Sequence, residues 1–263
     1  MIAGSGEFPQ LALDEASRYG YAAVVAGIRG EASGSLEDKA QAFFWMDPHH
    51  PEEALRFFKD HEVENVMLVG KVDPRTYFRR GSEAGEEASW LRSAADGTPS
   101  GLIRAFLDFL IAGGLRVMDP APFLAPYFCP AGVLTRMRPS EGILRDAEFG
   151  WEIARRMADL DIGQTVVVKD AAVVAVEAVE GTDEAIRRAA GLAGPGAVAV
   201  KVSRTLQDLR VDVPAVGLNT VRAMVEAGCT ALCLEAGKVA FFQKRPALEL
   251  ADRHGLVIFA RAG

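Results

Sequence analysis

The sequence is short of the features that mark secreted, membrane-spanning or nucleic-acid-binding chains. It holds three cysteines, Cys129, Cys229 and Cys233, and no secretory signal precedes them. That odd count argues against a disulfide framework and for a reducing, cytoplasmic compartment. Cys229 and Cys233 sit in an apolar run with no second Cys/His pair nearby, so they read as core residues and not as the start of a metal site. No apolar run reaches the roughly 18 residues of a membrane span. The longest stretch, Thr165 to Gly181, is interrupted by Lys169, Asp170, Glu177 and Glu180. Any contact with a membrane is therefore expected to be peripheral. Positive charge is also lacking: 29 Lys and Arg stand against 36 Asp and Glu, a formal charge of −7. This argues against general nucleic-acid binding, and an anionic substrate would need a local cluster of cations.

What is present fits a globular protein, since 49% of the residues are hydrophobic and 25% charged. A length of 263 residues accommodates one large or two ordinary domains. The chain opens with a short strand and the turn Gly4-Ser5-Gly6, followed by apolar residues at helical spacing (Phe8, Leu11, Ala12, Ala16, Tyr19) and a strand from Tyr21 to Ala26. Such a glycine turn can present backbone N–H groups to a phosphate. However, Pro9 stands where a dinucleotide fingerprint wants its third glycine. A helix from Glu52 to His61 begins at Pro51, a strand from Val63 to Val69 ends at Gly70, a helix covers Leu102 to Ile111, and a strand covers Leu115 to Met118. His49 and His50, between Pro48 and Pro51, describe a helix-entry loop better than a metal pair. This alternation predicts a mostly parallel sheet with helices on its faces.

Five prolines between Asp119 and Pro139, interleaved with Phe123, Leu124, Tyr127 and Phe128, exclude a long regular element there. The stretch reads as an interdomain connection, with its aromatics either packed as core or lining an apolar groove. The expected domains are residues 1–125 and 126–263, the second a mixed α/β domain. Its first helix is predicted over Asp146 to Leu160, with Phe149, Ile153 and Met157 as the buried stripe. A hairpin follows over Gln164 to Val168 and Ala172 to Ala178, then a helix capped by Thr182 and a strand from Ala197 to Val202. Beyond these come a helix near Thr220 to Ala227, strands near Ala231 to Leu234 and Val239 to Phe242, a helix near Pro246 to His254 and a last strand, Leu256 to Ala260.

The segment Gln207-Asp208-Leu209-Arg210-Val211-Asp212-Val213-Pro214 alternates charged and apolar residues. Read as a strand, it puts Asp208, Arg210 and Asp212 on one face. By itself this describes a surface ion pair better than a catalytic site.

The second half resembles a known family. The strings Leu160-Asp161-Ile162-Gly163-Gln164, Val176-Glu177-Ala178-Val179-Glu180-Gly181-Thr182-Asp183, Arg210-Val211-Asp212-Val213-Pro214 and Glu235-Ala236-Gly237 are similar, in order and spacing, to those of LpxI-type UDP-2,3-diacylglucosamine pyrophosphatases. The opening Ile2-Ala3-Gly4-Ser5-Gly6 with Pro9 is also similar. The resemblance implies hydrolysis of UDP-2,3-diacylglucosamine to UMP and 2,3-diacylglucosamine 1-phosphate (lipid X) in lipid A synthesis of Gram-negative bacteria, with Mg²⁺ or another divalent metal. It also implies an N-terminal Rossmann-like domain and that Asp212 is the essential acid; the demands of pyrophosphate hydrolysis suit Asp212 as metal ligand or as the group that orients water, with Asp208 in support. Gln164 and Thr182, inside the matching strings, become substrate-binding candidates beside Gly4, Ser5 and Gly6. Lys201 and Arg210 are the favoured phosphate contacts, ahead of Arg187, Arg188 and Arg204. Asp183 is a second metal candidate, equally explained by its place at a helix N-terminus. Two departures stand out: Gly97-Thr98-Pro99-Ser100 replaces the Gly-Asp-Asp run of many members, and few residues precede Ile2. A non-catalytic nucleotide-sugar or lipid-binding homologue is the rival reading, and a nicotinamide-dependent oxidoreductase, suggested by the glycine turn alone, is a third. A homodimer is compatible with all of these.

Overall fold

A computed structural model describes residues 1–72 and 99–263. The chain divides into two compact units, Met1–Phe123 with Asp208–Asp212, and Leu124–Gln207 with Val213–Gly263. Each is an α/β assembly, as the sequence predicts.

In the first unit, β1 (Ile2–Ala3), α1 (Phe8–Arg18), β2 (Val24–Ile28), β3 (Ala42–Met46), α2 (Pro51–Asp60), β4 (Asn65–Val66), β5 (Leu68–Val69), α3 (Pro99–Ala112) and β6 (Arg116–Val117) follow one another among the described residues. The main sheet has the order β3-β2-β1-β5, and all of its pairings are parallel. Strand β3 is not anticipated from the sequence, because Ala-Phe-Phe-Trp-Met shows no alternation and its first four residues are only half-buried at the sheet edge. The predicted Val63–Val69 strand is instead two short ones, with β4 paired to β6 and β5 to β1. Ile2, Val24, Ala26, Ile28, Met46, Ala54, Phe58, Val66, Leu110 and Leu115 form the core.

The short α4 (Ala121–Leu124) spans the division, and the second unit then contains β7 (Gly132–Val133), α5 (Glu141–Asp159), β8 (Thr165–Lys169), β9 (Ala172–Val176), α6 (Thr182–Ala193), β10 (Val198–Lys201), β11 (Ala215–Val216), α7 (Leu218–Glu226), β12 (Ala231–Glu235), β13 (Ala240–Phe241), α8 (Lys244–His254) and β14 (Val257–Arg261). The mixed sheet runs β7-β14-β12-β10-β8-β9. Its centre, β10-β12-β14, is parallel and its flanks are antiparallel. Alternation sorts the strands' residues to two faces. Val166, Val168, Val198, Val200 and Cys233 pack under α5, while Val167, Ala199, Leu232, Leu234 and Ile258 face a cluster fed by α6, α7 and α8.

Helix α5 starts earlier than predicted because the Ser140 hydroxyl accepts from the Ile143 N–H at 3.3 Å. Its buried face is also rotated. Phe149 is 40% exposed, and Ala147, Gly150, Trp151, Ala154 and Ala158 are buried, with Ile153 and Met157 at the margin. A methyl at Gly150 would stand 2.9 Å from methyls of Val168 and Val200, so small residues, not the large ones, let α5 lie close on the sheet. The β8–β9 hairpin turns through Asp170 and Ala171, both at positive φ (50° and 58°). That unfavourable geometry for Ala171 is offset by the Asp146 carboxylate, which accepts from both N–H groups at 3.0 and 2.8 Å. Among the described residues no helix is long and apolar enough to cross a membrane.

Gly163 lies between α5 and β8, where an added Cβ would meet the Glu177 carbonyl oxygen at 2.1 Å. Gly163→Ala is expected to destabilise the protein by about 1–3 kcal/mol. Urea unfolding will show this, and an unchanged midpoint would contradict the close approach.

Candidate functional site

Four separate pieces of the second unit converge on the end of β10. Lys201 closes that strand, Thr165 opens β8 directly opposite it, Glu177 follows β9, and Thr182 is the first residue of α6. Lys201 is only 4% exposed. Its Nζ donates to Thr182 Oγ1 at 2.9 Å, Thr165 Oγ1 at 3.2 Å and Glu177 Oε2 at 3.3 Å. An ammonium has three donors, so this one is fully engaged. Thr182 in turn donates to Glu177 Oε1 at 2.7 Å, and the Gln164 N–H donates to Oε2 at 3.2 Å. Burial alone would raise the Glu177 pKa, but the Lys201 charge and the surrounding donors bring it down to about 2.

Two expectations change here. Lys201, expected on a phosphate, spends its donors inside the domain because burial leaves the ammonium no water to bind. Thr182, expected as an N-cap, gives its hydroxyl to this network, while Gly181 at φ 83° occupies the cap position without a side-chain bond.

A second buried carboxylate, Glu235, ends β12. It accepts from the Ser203 N–H at 2.8 Å, from Arg155 Nη2 at 2.6 Å and from Lys238 Nζ at 3.0 Å. Burial opposes its ionisation, yet these partners hold its pKa below the usual range. Arg204 pairs with Asp161, whose backbone stands at φ 59° just past α5. The Thr205 N–H and hydroxyl bond both oxygens of Asp159 at 2.7 and 2.8 Å.

The Asp208–Asp212 segment, grouped with the first unit, is a turn and not the predicted strand. Asp208 Oδ1 accepts from the Arg210 N–H at 3.0 Å, and its carbonyl accepts from the N–H groups of Val211 and Asp212 at 3.0 and 3.1 Å. An aspartate offers the backbone this local alternative to a ladder. Arg210 Nε and Nη2 then grip the same carboxylate at 2.9 and 2.8 Å. These bonds to Arg210, with Arg104 adding to the field, lower the Asp208 pKa. Asp212 is half-buried at the end of the turn.

Elsewhere the flagged residues have plainer roles. Gly4 packs against the Lys71 carbonyl, where a Cβ would stand at 2.3 Å. The N–H groups of Gly4 and Ser5 donate to Val69 and Lys71 at 2.8 and 2.7 Å, so the strand beside them, not an anion, takes those donors. Gly6 has φ 93°. Asp183 lies in the first turn of α6. Arg187 pairs with Glu184 and Arg188 with Glu180 on the surface. Phe123 meets Tyr19 edge-on, and Tyr127 packs on Phe242. Gly97 and Thr98 lie outside the described residues. Sequence reasoning gave no role to Glu235, Ser203, Arg155 or Asp159. The signal for Glu235 was an acid closing the apolar run Ala-Leu-Cys-Leu.

Together these features define a two-unit α/β protein with a Rossmann-like parallel N-terminal sheet and a C-terminal mixed sheet whose strand ends carry buried, paired charges. Residues 1–127 match the LpxI N-terminal domain and residues 130–259 the LpxI C-terminal domain. A relative from Caulobacter vibrioides, UDP-2,3-diacylglucosamine pyrophosphatase LpxI, is 31% identical over an alignment 273 positions long that covers 98% of this chain and 95% of that protein. The chain belongs to the LpxI family.

Because the folded-state pKa of Glu177 is depressed from 4.5 to about 2, the stability it contributes is complete above pH 4.5 and is lost as the pH falls through about 2. Glu177→Gln should flatten that acid limb. It should also cost about 3 kcal/mol at pH 7, since it leaves Lys201 buried without its counter-charge. Urea unfolding across pH will show both effects, and an unchanged acid limb would contradict the assignment.

Proposed function

We propose that the protein hydrolyses the pyrophosphate bond of UDP-2,3-diacylglucosamine, giving UMP and 2,3-diacylglucosamine 1-phosphate, as a cytoplasmic enzyme of lipid A synthesis that meets the membrane surface peripherally. The observation that carries this reading is the match of both LpxI domains along the chain, joined by a relative of that name at 31% identity.

Among the described residues no group of three or more His, Cys, Asp or Glu side chains is arranged to hold an ion. The donors that remain suit a divalent metal that arrives on the diphosphate and accepts one or two carboxylates, the mode Mg²⁺ prefers. Asp212 is the carboxylate assigned to it or to the attacking water, and Asp183 is the second metal candidate. A bound Mg²⁺ would screen the phosphate charge. Asp208 holds the Arg210 guanidinium in one orientation, which suits Arg210 to an anion at its remaining edge. Gln164 and Thr182 stay substrate-binding candidates through their place in the matching strings, as does Gly6 in the glycine turn.

Purified protein with UDP-2,3-diacylglucosamine and Mg²⁺ should release UMP, and a metal chelator should stop it. Asp212→Asn should lower the rate by about 100-fold or more with the fold intact. Near wild-type release from that variant would remove Asp212 from the chemistry. Tight substrate binding without any UMP would favour the non-catalytic reading. Reaction in ¹⁸O-water, with the label located in UMP or in the sugar phosphate, identifies the phosphorus attacked.

A further inference from the structure

Between β10 and β11 the chain runs from Val202 to Pro214 without a strand or helix, so its N–H groups must find partners other than a ladder. Three consecutive residues find them in side chains. The Ser203 N–H donates to Glu235 at 2.8 Å, the Arg204 N–H to Gln207 Oε1 at 3.1 Å, and the Thr205 N–H to Asp159 at 2.7 Å. Each residue of the trio also meets a different carboxylate through its side chain. The Ser203 hydroxyl lies 3.1 Å from Glu235, Arg204 pairs with Asp161, and the Thr205 hydroxyl bonds Asp159 at 2.8 Å. Arg155, also on α5, locks the arrangement by donating to the Ser203 carbonyl and to Glu235. Apolar packing does not hold the outer end of this segment, for Leu206 is 89% exposed.

We propose that Asp159, Asp161 and Glu235 form a clamp that fixes Ser203–Gln207, the stretch that leads directly into Asp208–Asp212 in the chain. They are positioning residues. For catalysis, the inference rests on the role given to Asp212 above. An error of about 1 Å in a reacting group can cost a large factor in rate, so a fixed lead-in to such a group favours the reaction. Glu235 ties the anchor to the core sheet, and Asp159 is its outermost point. Asp159 is exposed, so its removal opens no cavity.

The test compares full-length wild type, Asp159→Ala and Asp159→Asn by hydrogen exchange and by UMP release from UDP-2,3-diacylglucosamine with Mg²⁺. Asp159→Ala should speed exchange in the peptide covering residues 203–213 by about tenfold while β12 stays protected. It should also lower kcat about tenfold with KM changed less than about twofold. In Asp159→Asn the amide oxygen still accepts from the Thr205 N–H, and most of both effects should be reversed. Unchanged exchange in Asp159→Ala overturns the clamp, and so does faster exchange with kcat intact. If wild type releases no UMP, the assigned reaction fails. Exchange then decides the clamp alone: acceleration confined to residues 203–213 sustains it, and its absence overturns it.

Discussion

A buried ammonium at the end of β10 obliges the rest of the C-terminal unit to supply acceptors for it. Lys201 cannot be left in an apolar interior without them, since desolvating an unpaired charge costs several kcal/mol. Thr165, Glu177 and Thr182 meet the demand, and in doing so they fix the start of β8, the end of β9 and the first turn of α6 about one point. Gly163 belongs to the same solution, because only a residue without a Cβ lets the chain pass so close to the Glu177 carbonyl.

The neighbouring strand repeats the device with the opposite sign. Glu235 ends β12 as Lys201 ends β10, and the two strands are parallel, so both charges fall at their carboxyl ends, where open α/β sheets commonly build sites. Lys201 is turned inward to a closed set of partners. Glu235 is turned to the chain that leaves β10, and its partners Ser203 and Arg155 bind that chain to α5. One strand end thus stabilises the sheet, and the other organises the segment that precedes Asp208.

Most of the elements were legible in the sequence in their order, and so was the hairpin of the second sheet. Where the reading failed, a local competitor won. Alternation over Gln207–Pro214 suggested a strand, but Asp208 closes a turn on its own following N–H groups and takes Arg210 with it. In α5 the large residues Phe149, Ile153 and Met157 shared a helical spacing, yet close packing on β8 and β10 centred the buried face on Ala147, Gly150, Trp151 and Ala154, which leaves Ile153 and Met157 at its margin and Phe149 exposed. Edge strand β3 went unseen because half-burial leaves no period-two signature.

The sequence by itself determined the α/β alternation, the breaks at glycine and proline, and the motif strings that tie the chain to its family, because periodicity and turn chemistry act over a few neighbouring residues. The tertiary structure alone decided what the buried charged residues in and beside those strings do. Lys201 finds its acceptors 19, 24 and 36 residues away, and Glu235 meets Ser203 across 32. Pairings over such distances leave no local pattern, for they arise only when the sheet brings its strand ends together and burial removes water as an alternative partner.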